Sequence, residues 1–328
     1  MKDPVPGRGS LRSRGAALVS TLTLRQISAV LPPERAWGLW ASRQIVAGVM
    51  DAFGPSLAGT SVEQIDAVLP DGRLVVGEWV RAAGVQSTDG AIYFVHGSGY
   101  ALCSPRTHRR LTSWLSRLTG RSVFAVDYRL APRHRFPTAA DDVRASWDWL
   151  TGQVPPERVV IAGDSAGGHL AVDLLLQPDV AASSPAALVL FSPLVDLTLG
   201  LARARERVRR DPAIRAVDAA RLIALYSGGV DPTHQRLALD VAGGPPLPPT
   251  LIQAGGAEML LADARRLAAD IRAGGGSCEL QVWPDQVHVF QALPRLSPEA
   301  AKAMAHVACF ISTSLRANGF NAIAGKAG

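Results

Sequence analysis

The run Val159-Val160-Ile161-Ala162 leads straight into Gly163-Asp164-Ser165-Ala166-Gly167-Gly168, and a helical pattern follows to Leu176. A short apolar run before the motif and a helix after it make a strand–turn–helix junction. Glycine on either side of the central Asp-Ser-Ala permits a turn that side chains would crowd. Such a turn pushes Ser165 Oγ out above a sheet, at the positive end of the next helix. A G-x-S-x-G string in an arbitrary loop means little; in this setting it reads as a nucleophile.

Working outward, further apolar runs occur at Val75–Val80, Ala91–Val95, Val123–Val126, Ala187–Phe191, Thr250–Gln253 and Glu279–Trp283. Amphipathic patterns separate most of them, among them Thr107–Leu118, Thr138–Leu150 and Leu261–Arg272. This alternation predicts an α/β fold whose mostly parallel central sheet is covered by helices on both faces. The 328-residue length suits one large domain of that kind. Leu194–Leu247 breaks the alternation, being polar, arginine-rich and then proline-rich, and reads as a cap insertion at about 194–247. Residues 1–74 read as an N-terminal helical or cap segment, 75–316 as the catalytic domain and 317–328 as a frayed tail.

Open α/β sheets keep their chemistry at the carboxyl ends of the strands. After Ala91–Val95 comes His96-Gly97-Ser98-Gly99-Tyr100, a glycine-rich turn able to offer backbone N–H groups to an anion. Serine needs a base. Of seven histidines, His288 alone follows a strand run and precedes the last helix; His169 reads as packed inside the elbow helix, and His108, His134, His234 and His306 lack a strand-end position. An imidazole base needs a carboxylate to fix its tautomer. The first acid after Thr250–Gln253 is Glu258, whereas Asp263 already lies within the following helix. The resulting chain order is Ser165, Glu258, His288.

With 34 basic and 28 acidic residues the chain carries a formal charge of +6. The arginines are dispersed among acids except for Arg203, Arg205, Arg207, Arg209 and Arg210, a run that reads as a solvated helix face. Nucleic-acid binding is not expected. Cys103, Cys278 and Cys309 fit no metal spacing or disulfide framework, and Cys278 and Cys309 read as small core residues of a protein in a reducing, cytoplasmic compartment.

The basic residues Lys2, Arg8, Arg12 and Arg14 precede an apolar stretch, Ala16–Leu24, that Thr21 and Thr23 interrupt. Neither an export signal nor a membrane span is expected there. From Ala36 to Phe53 the pattern predicts an amphipathic helix carrying Trp37, Trp40, Met50 and Phe53. Packing on the domain is the expected use of that stripe; an acyl-pocket wall and a peripheral membrane contact through this segment are the alternatives. In the last helix, Met304, Val307, Ile311 and Leu315 form one stripe, open to two readings: a cover for the core or a homodimer contact.

Taken together, the chain resembles the hormone-sensitive-lipase-like family of α/β-hydrolases, in its bacterial esterase and lipase branch. The resemblance rests on His96-Gly97-Ser98-Gly99-Tyr100, Asp127-Tyr128-Arg129-Leu130-Ala131-Pro132, Phe136-Pro137-Thr138-Ala139-Ala140-Asp141-Asp142, Gly163–Gly168 and His288-Val289-Phe290, in that order. It implies the α/β-hydrolase fold with a helical cap and a serine carboxylic-ester hydrolase acting on small short- or medium-chain acyl esters, with no cofactor and no metal. Ser165 would be nucleophile, His288 base and Glu258 the orienting acid, where the family usually has aspartate. The backbone N–H groups of Gly97, Ser98 and Ala166 would form the oxyanion hole. An amidase, deacetylase or acyltransferase would use the same triad, and a non-catalytic binding protein is the remaining alternative. The family's His-Gly-Gly-Gly is here His-Gly-Ser-Gly, which costs on the order of 1 kcal/mol if Ser98 must adopt a positive φ. Arg129 and Asp142 read as a structural pair.

Overall fold

A computed structural model describes residues 5–86 and 90–324. Its strands are β1 (Ser61–Val68), β2 (Leu74–Arg81), β3 (Ala91–Val95), β4 (Ser122–Val126), β5 (Val159–Asp164), β6 (Ala187–Phe191), β7 (Thr250–Gly255) and β8 (Cys278–Trp283). They form a single eight-stranded sheet in the order β1-β2-β4-β3-β5-β6-β7-β8. The β1–β2 and β2–β4 pairs are antiparallel and the other pairs are parallel.

The helices are α1 (Leu11–Leu22), α2 (Leu24–Val30), α3 (Ala36–Phe53), α4 (Pro105–Thr119), α5 (Thr138–Thr151), α6 (Ala166–Leu175), α7 (Pro178–Ala181), α8 (Gly200–Val208), α9 (Ala216–Ser227), α10 (Leu261–Ala273) and α11 (Glu299–Ala324). Every residue of β3 to β7 is buried, as strands covered on both faces require. Along β3 the pleat sends Tyr93 and Val95 into one core and Ile92 and Phe94 into the other. Local signals set the helix ends: α4 opens with Pro105 in its first turn, Ser104 N–H donates to Thr107 Oγ1, and Gly120 closes it at φ 67°.

All seven expected strands are present. The strand β1 is an addition, lying inside the segment expected to be helical. It is an exposed edge with only Ile65 and Ala67 half-buried, so no apolar run marks it. The last helix continues to Ala324, into the stretch expected to fray, and 325–328 lie outside the described residues. Met304, Val307 and Ile311 are fully buried against the sheet, so that stripe covers the core. Cys309 is exposed rather than core, because it falls on the outer side of the same helix.

The 194–247 excursion carries α8 and α9 and meets the N-terminal helices across a polar seam. Arg25 donates to Glu206 and to the carbonyls of Asp211 and Ile214, and Arg221 pairs with Glu34. Trp37 and Trp40, expected to pack inward, are exposed: α3 turns Gly38 and Leu39 inward and packs Val49, Met50 and Phe53 on the core instead. Among the described residues, no helix is long and apolar enough to cross a membrane.

Candidate active site

The β5 strand ends at Asp164, and Ser165 turns the chain into α6 with φ 51° and ψ −122°. This strained backbone is held by three main-chain bonds. Ser165 N–H donates to Phe191 O, and Ser165 O accepts the N–H groups of Gly168 and Leu194, each at 3.0 Å. Gly167 is required here, since a Cβ would come within 2.0 Å of Val95 O. Ser165 lies almost buried at the floor of a cavity of about 300 Å³.

Two loops bring the acid and the base together. The loops after β7 and β8 are laced by Gly256 N–H to Trp283 O at 2.7 Å and Ala257 N–H to Gln286 O at 3.0 Å. Across this lacing, Glu258 Oε2 meets His288 Nδ1 at 2.6 Å, while Oε1 accepts Gly255 N–H at 2.7 Å. Glu258 is fully buried. With Nδ1 engaged, Nε2 is the ring nitrogen left for Ser165, which lines the same cavity as His288. The main chain just after His288 is held by Val289 N–H donating to Ser192 Oγ at 3.1 Å.

Burial alone would lower the His288 pKa. The Glu258 hydrogen bond and charge, helped by Asp211 and Asp164, outweigh it and raise the pKa above its ordinary 6.5. Asp211, from the 194–247 excursion, is a buried carboxylate whose own pKa burial raises, and it accepts Met259 N–H at 2.8 Å. Asp263 serves elsewhere, accepting the N–H groups of Val195 and Asp196, and burial lifts its pKa to about 7. The arginine run is only partly a solvated face. Arg205 donates to Gly256 O at 3.0 Å and Arg209 to Asp285 at 3.1 Å, tying the 194–247 excursion to the loops after β7 and β8.

The glycine-rich turn after β3 corrects one expectation. Gly97 N–H donates to Asp164 Oδ1 at 3.0 Å, so it is not available to a substrate oxygen. The N–H groups of Ser98, Gly99 and Ala166 have no acceptor among the described residues. The free N–H groups of the turn are thus those of Ser98 and Gly99 and not that of Gly97, which motif spacing alone does not reveal. Ser98 has φ 77°, the strained value anticipated for it, and its Oγ accepts the Cys103 thiol, whose pKa burial pushes up to about 11.

Beneath the turn lies a group the sequence did not mark. His108 Nε2 sits 3.2 Å from Asp164 Oδ1, and His96 stacks on Tyr128 at 4.1 Å. The Tyr128 hydroxyl donates to His96 O at 2.7 Å. Burial, then the neighbouring His108, lowers the His96 pKa to about 3, so His96 is neutral. His108 faces inward on α4, where no strand-end position flags it. The Arg129–Asp142 pair is formed as expected, with Arg129 Nη2 donating to Asp142 Oδ1 at 2.7 Å and Arg129 N–H to Oδ2 at 2.9 Å.

Comparison with known proteins agrees with this geometry. The profile of the alpha/beta hydrolase fold family matches residues 92–292. The chain is 38% identical over 245 residues to carboxylesterase/phospholipase LipF of Mycobacterium tuberculosis, covering 71% of this chain but only 65% of that protein. Over 275 residues it is 37% identical to esterase LipU of the same organism, with 80% and 92% of the two chains covered. The crystal structure of an esterase from the bacterial hormone-sensitive lipase family superposes with a TM-score of 0.80 at 30% identity, spanning 93% of this chain and 99% of that one. The chain belongs to the α/β-hydrolase fold family, in its hormone-sensitive-lipase-like bacterial branch.

Proposed function

We propose that the protein is a serine carboxylic-ester hydrolase that works through a Ser165–His288–Glu258 triad. The observation that carries the reading is the 2.6 Å contact between buried Glu258 and His288 at the cavity floored by Ser165. Ser165 Oγ attacks the ester carbonyl while His288 Nε2 takes its proton, and the imidazolium is stabilised by Glu258. The oxyanion of the tetrahedral intermediate is received by the N–H groups of Ser98, Gly99 and Ala166, donors worth roughly 3–4 kcal/mol apiece in such sites. His288 then returns the proton to the leaving alcohol, and water deacylates the enzyme by the same route.

The acyl side is read as short to medium. A cavity of about 300 Å³ lined by Leu24, Leu31, Val46, Val49, Leu222 and Ile223 suits a small apolar group better than a long chain. Free Cys103, Cys278 and Cys309 support the cytoplasm as its compartment. The test is a series of p-nitrophenyl esters from acetate to palmitate. Turnover that peaks at short or medium chains supports the reading, and a rate that climbs to palmitate refutes its chain-length part.

A further inference from the structure

The outer face of the N-terminal cap is built the wrong way round for a helix that merely packs on a domain. Helix α1 turns Ser13 and Ser20 inward, and Ser13 and Ser10 donate to Glu299. Its leucines face outward: Leu11, Leu18 and Leu22 are 79%, 62% and 68% exposed. Spaced at i, i+7 and i+11, they form one stripe on the side opposite Ala16 and Ser20, which line the catalytic cavity. Helix α3 repeats the arrangement. Val46 and Val49 line the cavity, while Trp37 and Trp40, at i and i+3 on the far side, are 61% and 64% exposed. The inner faces of both helices roof one cavity, so their apolar outer faces belong to the outside of the same roof.

Charge indicates what covers this face. The first fifty residues hold seven arginines and lysines against two carboxylates, and so carry five of the chain's six net positive charges. Arg8 and Arg12 at the start of α1 and Arg35 at the start of α3 are exposed and form no ion pair with any described residue. The neighbouring acid, Glu34, is neutralised by Arg221 through two 2.7 Å bonds. Leucines and tryptophans flanked by exposed arginines match an anionic lipid interface, where apolar side chains enter the acyl boundary, indole sits at headgroup level and arginine meets phosphate.

We propose that the outer face of α1 and α3 docks on an anionic lipid surface. The inference goes beyond the hydrolytic reading, because it is tested by binding and not by turnover. The full chain is floated with vesicles of pure phosphatidylcholine and of equal parts phosphatidylcholine and phosphatidylglycerol, beside Trp37→Ser/Trp40→Ser and Leu18→Ser/Leu22→Ser variants. Sedimentation and hydrolysis of soluble p-nitrophenyl acetate are measured in parallel.

Wild type is expected to float with the anionic vesicles, and each double variant to lose about tenfold or more in partitioning. Hydrolysis of the soluble ester should stay unchanged in both variants. Failure to bind anionic vesicles overturns the proposal, as does binding that neither variant weakens. A wild-type dimer that these substitutions dissociate, without vesicle binding, would assign the face to a second copy of the chain. Because Ser165→Ala should bind vesicles as wild type does, failure of the hydrolytic reading would leave this result distinguishable.

Discussion

The Asp164 carboxylate accepts the backbone N–H of Gly97 at 3.0 Å through the same oxygen that faces His108 Nε2 at 3.2 Å. The residue before Ser165 thereby ties the elbow to the turn carrying the Ser98 and Gly99 N–H groups. The His108 charge and hydrogen bond outweigh burial and keep the Asp164 pKa below its ordinary value, so the acceptor is ionised. Asp164→Ala should lower kcat about a hundredfold, as loss of an oxyanion donor does, with little change in KM. Asp164→Asn keeps an acceptor oxygen and should lose much less. Steady-state kinetics on both variants, with circular dichroism confirming the fold, check this; an alanine variant with wild-type kcat would contradict it.

Glu258 is one methylene longer than an aspartate, and its loop is fixed by Gly255 N–H donating to Glu258 Oε1 and by Met259 N–H donating to Asp211. Glu258→Asp should therefore not reach His288 across the present 2.6 Å contact, and kcat should fall at least about tenfold. Glu258→Gln, which cannot stabilise the imidazolium, should cost about 10⁴-fold. Equal activity in all three proteins would remove Glu258 from the triad.

His288 gives a pH dependence whose sign follows from its raised pKa. The base must be neutral to act, so kcat/KM should rise with pH, with a midpoint above 6.5. Stability runs the other way. Protonated His288 stabilises the fold fully below its unfolded pKa, and that contribution fades as pH rises through the folded value. In Glu258→Gln, burial is left with less opposition, so the residual activity should have a lower midpoint. A midpoint that does not move would show that Glu258 does not set it.

Asp142 anchors the turn after β4 by accepting both the main chain and the guanidinium of Arg129. Asp142→Ala leaves those donors unpaired and should cost about 1–2 kcal/mol of stability, since Arg129 is half in solvent. Thermal unfolding should reveal the loss while KM stays close to wild type. A changed KM at unchanged Tm would make the pair part of the substrate site.

These outcomes follow the line between what the chain declares locally and what it does not. Strands buried on both faces must be apolar throughout, so seven of them could be read as runs; β1, exposed at the edge, leaves no such trace. Ser165, Glu258 and His288 follow β5, β7 and β8, at strand ends that the apolar runs already mark in the sequence. Asp164 and His108 meet across 56 positions of chain, and only the folded packing of α4 beneath the elbow brings them together. The engagement of Gly97 N–H by Asp164 was not legible, because a motif does not say which N–H a neighbouring carboxylate will take. Amphipathic spacing located α3 correctly from Ala36 to Phe53 but could not say which side would face the protein, and the tryptophans turned outward.

The central claim is that Ser165 is the nucleophile of an ester hydrolase, and one comparison tests it most directly. Hydrolysis of p-nitrophenyl butyrate is measured for wild type and for a folded Ser165→Ala variant under identical conditions. The account predicts turnover by wild type and a loss of about 10⁶-fold or to background in the variant. An inert wild type, or a variant that retains wild-type turnover, would contradict it.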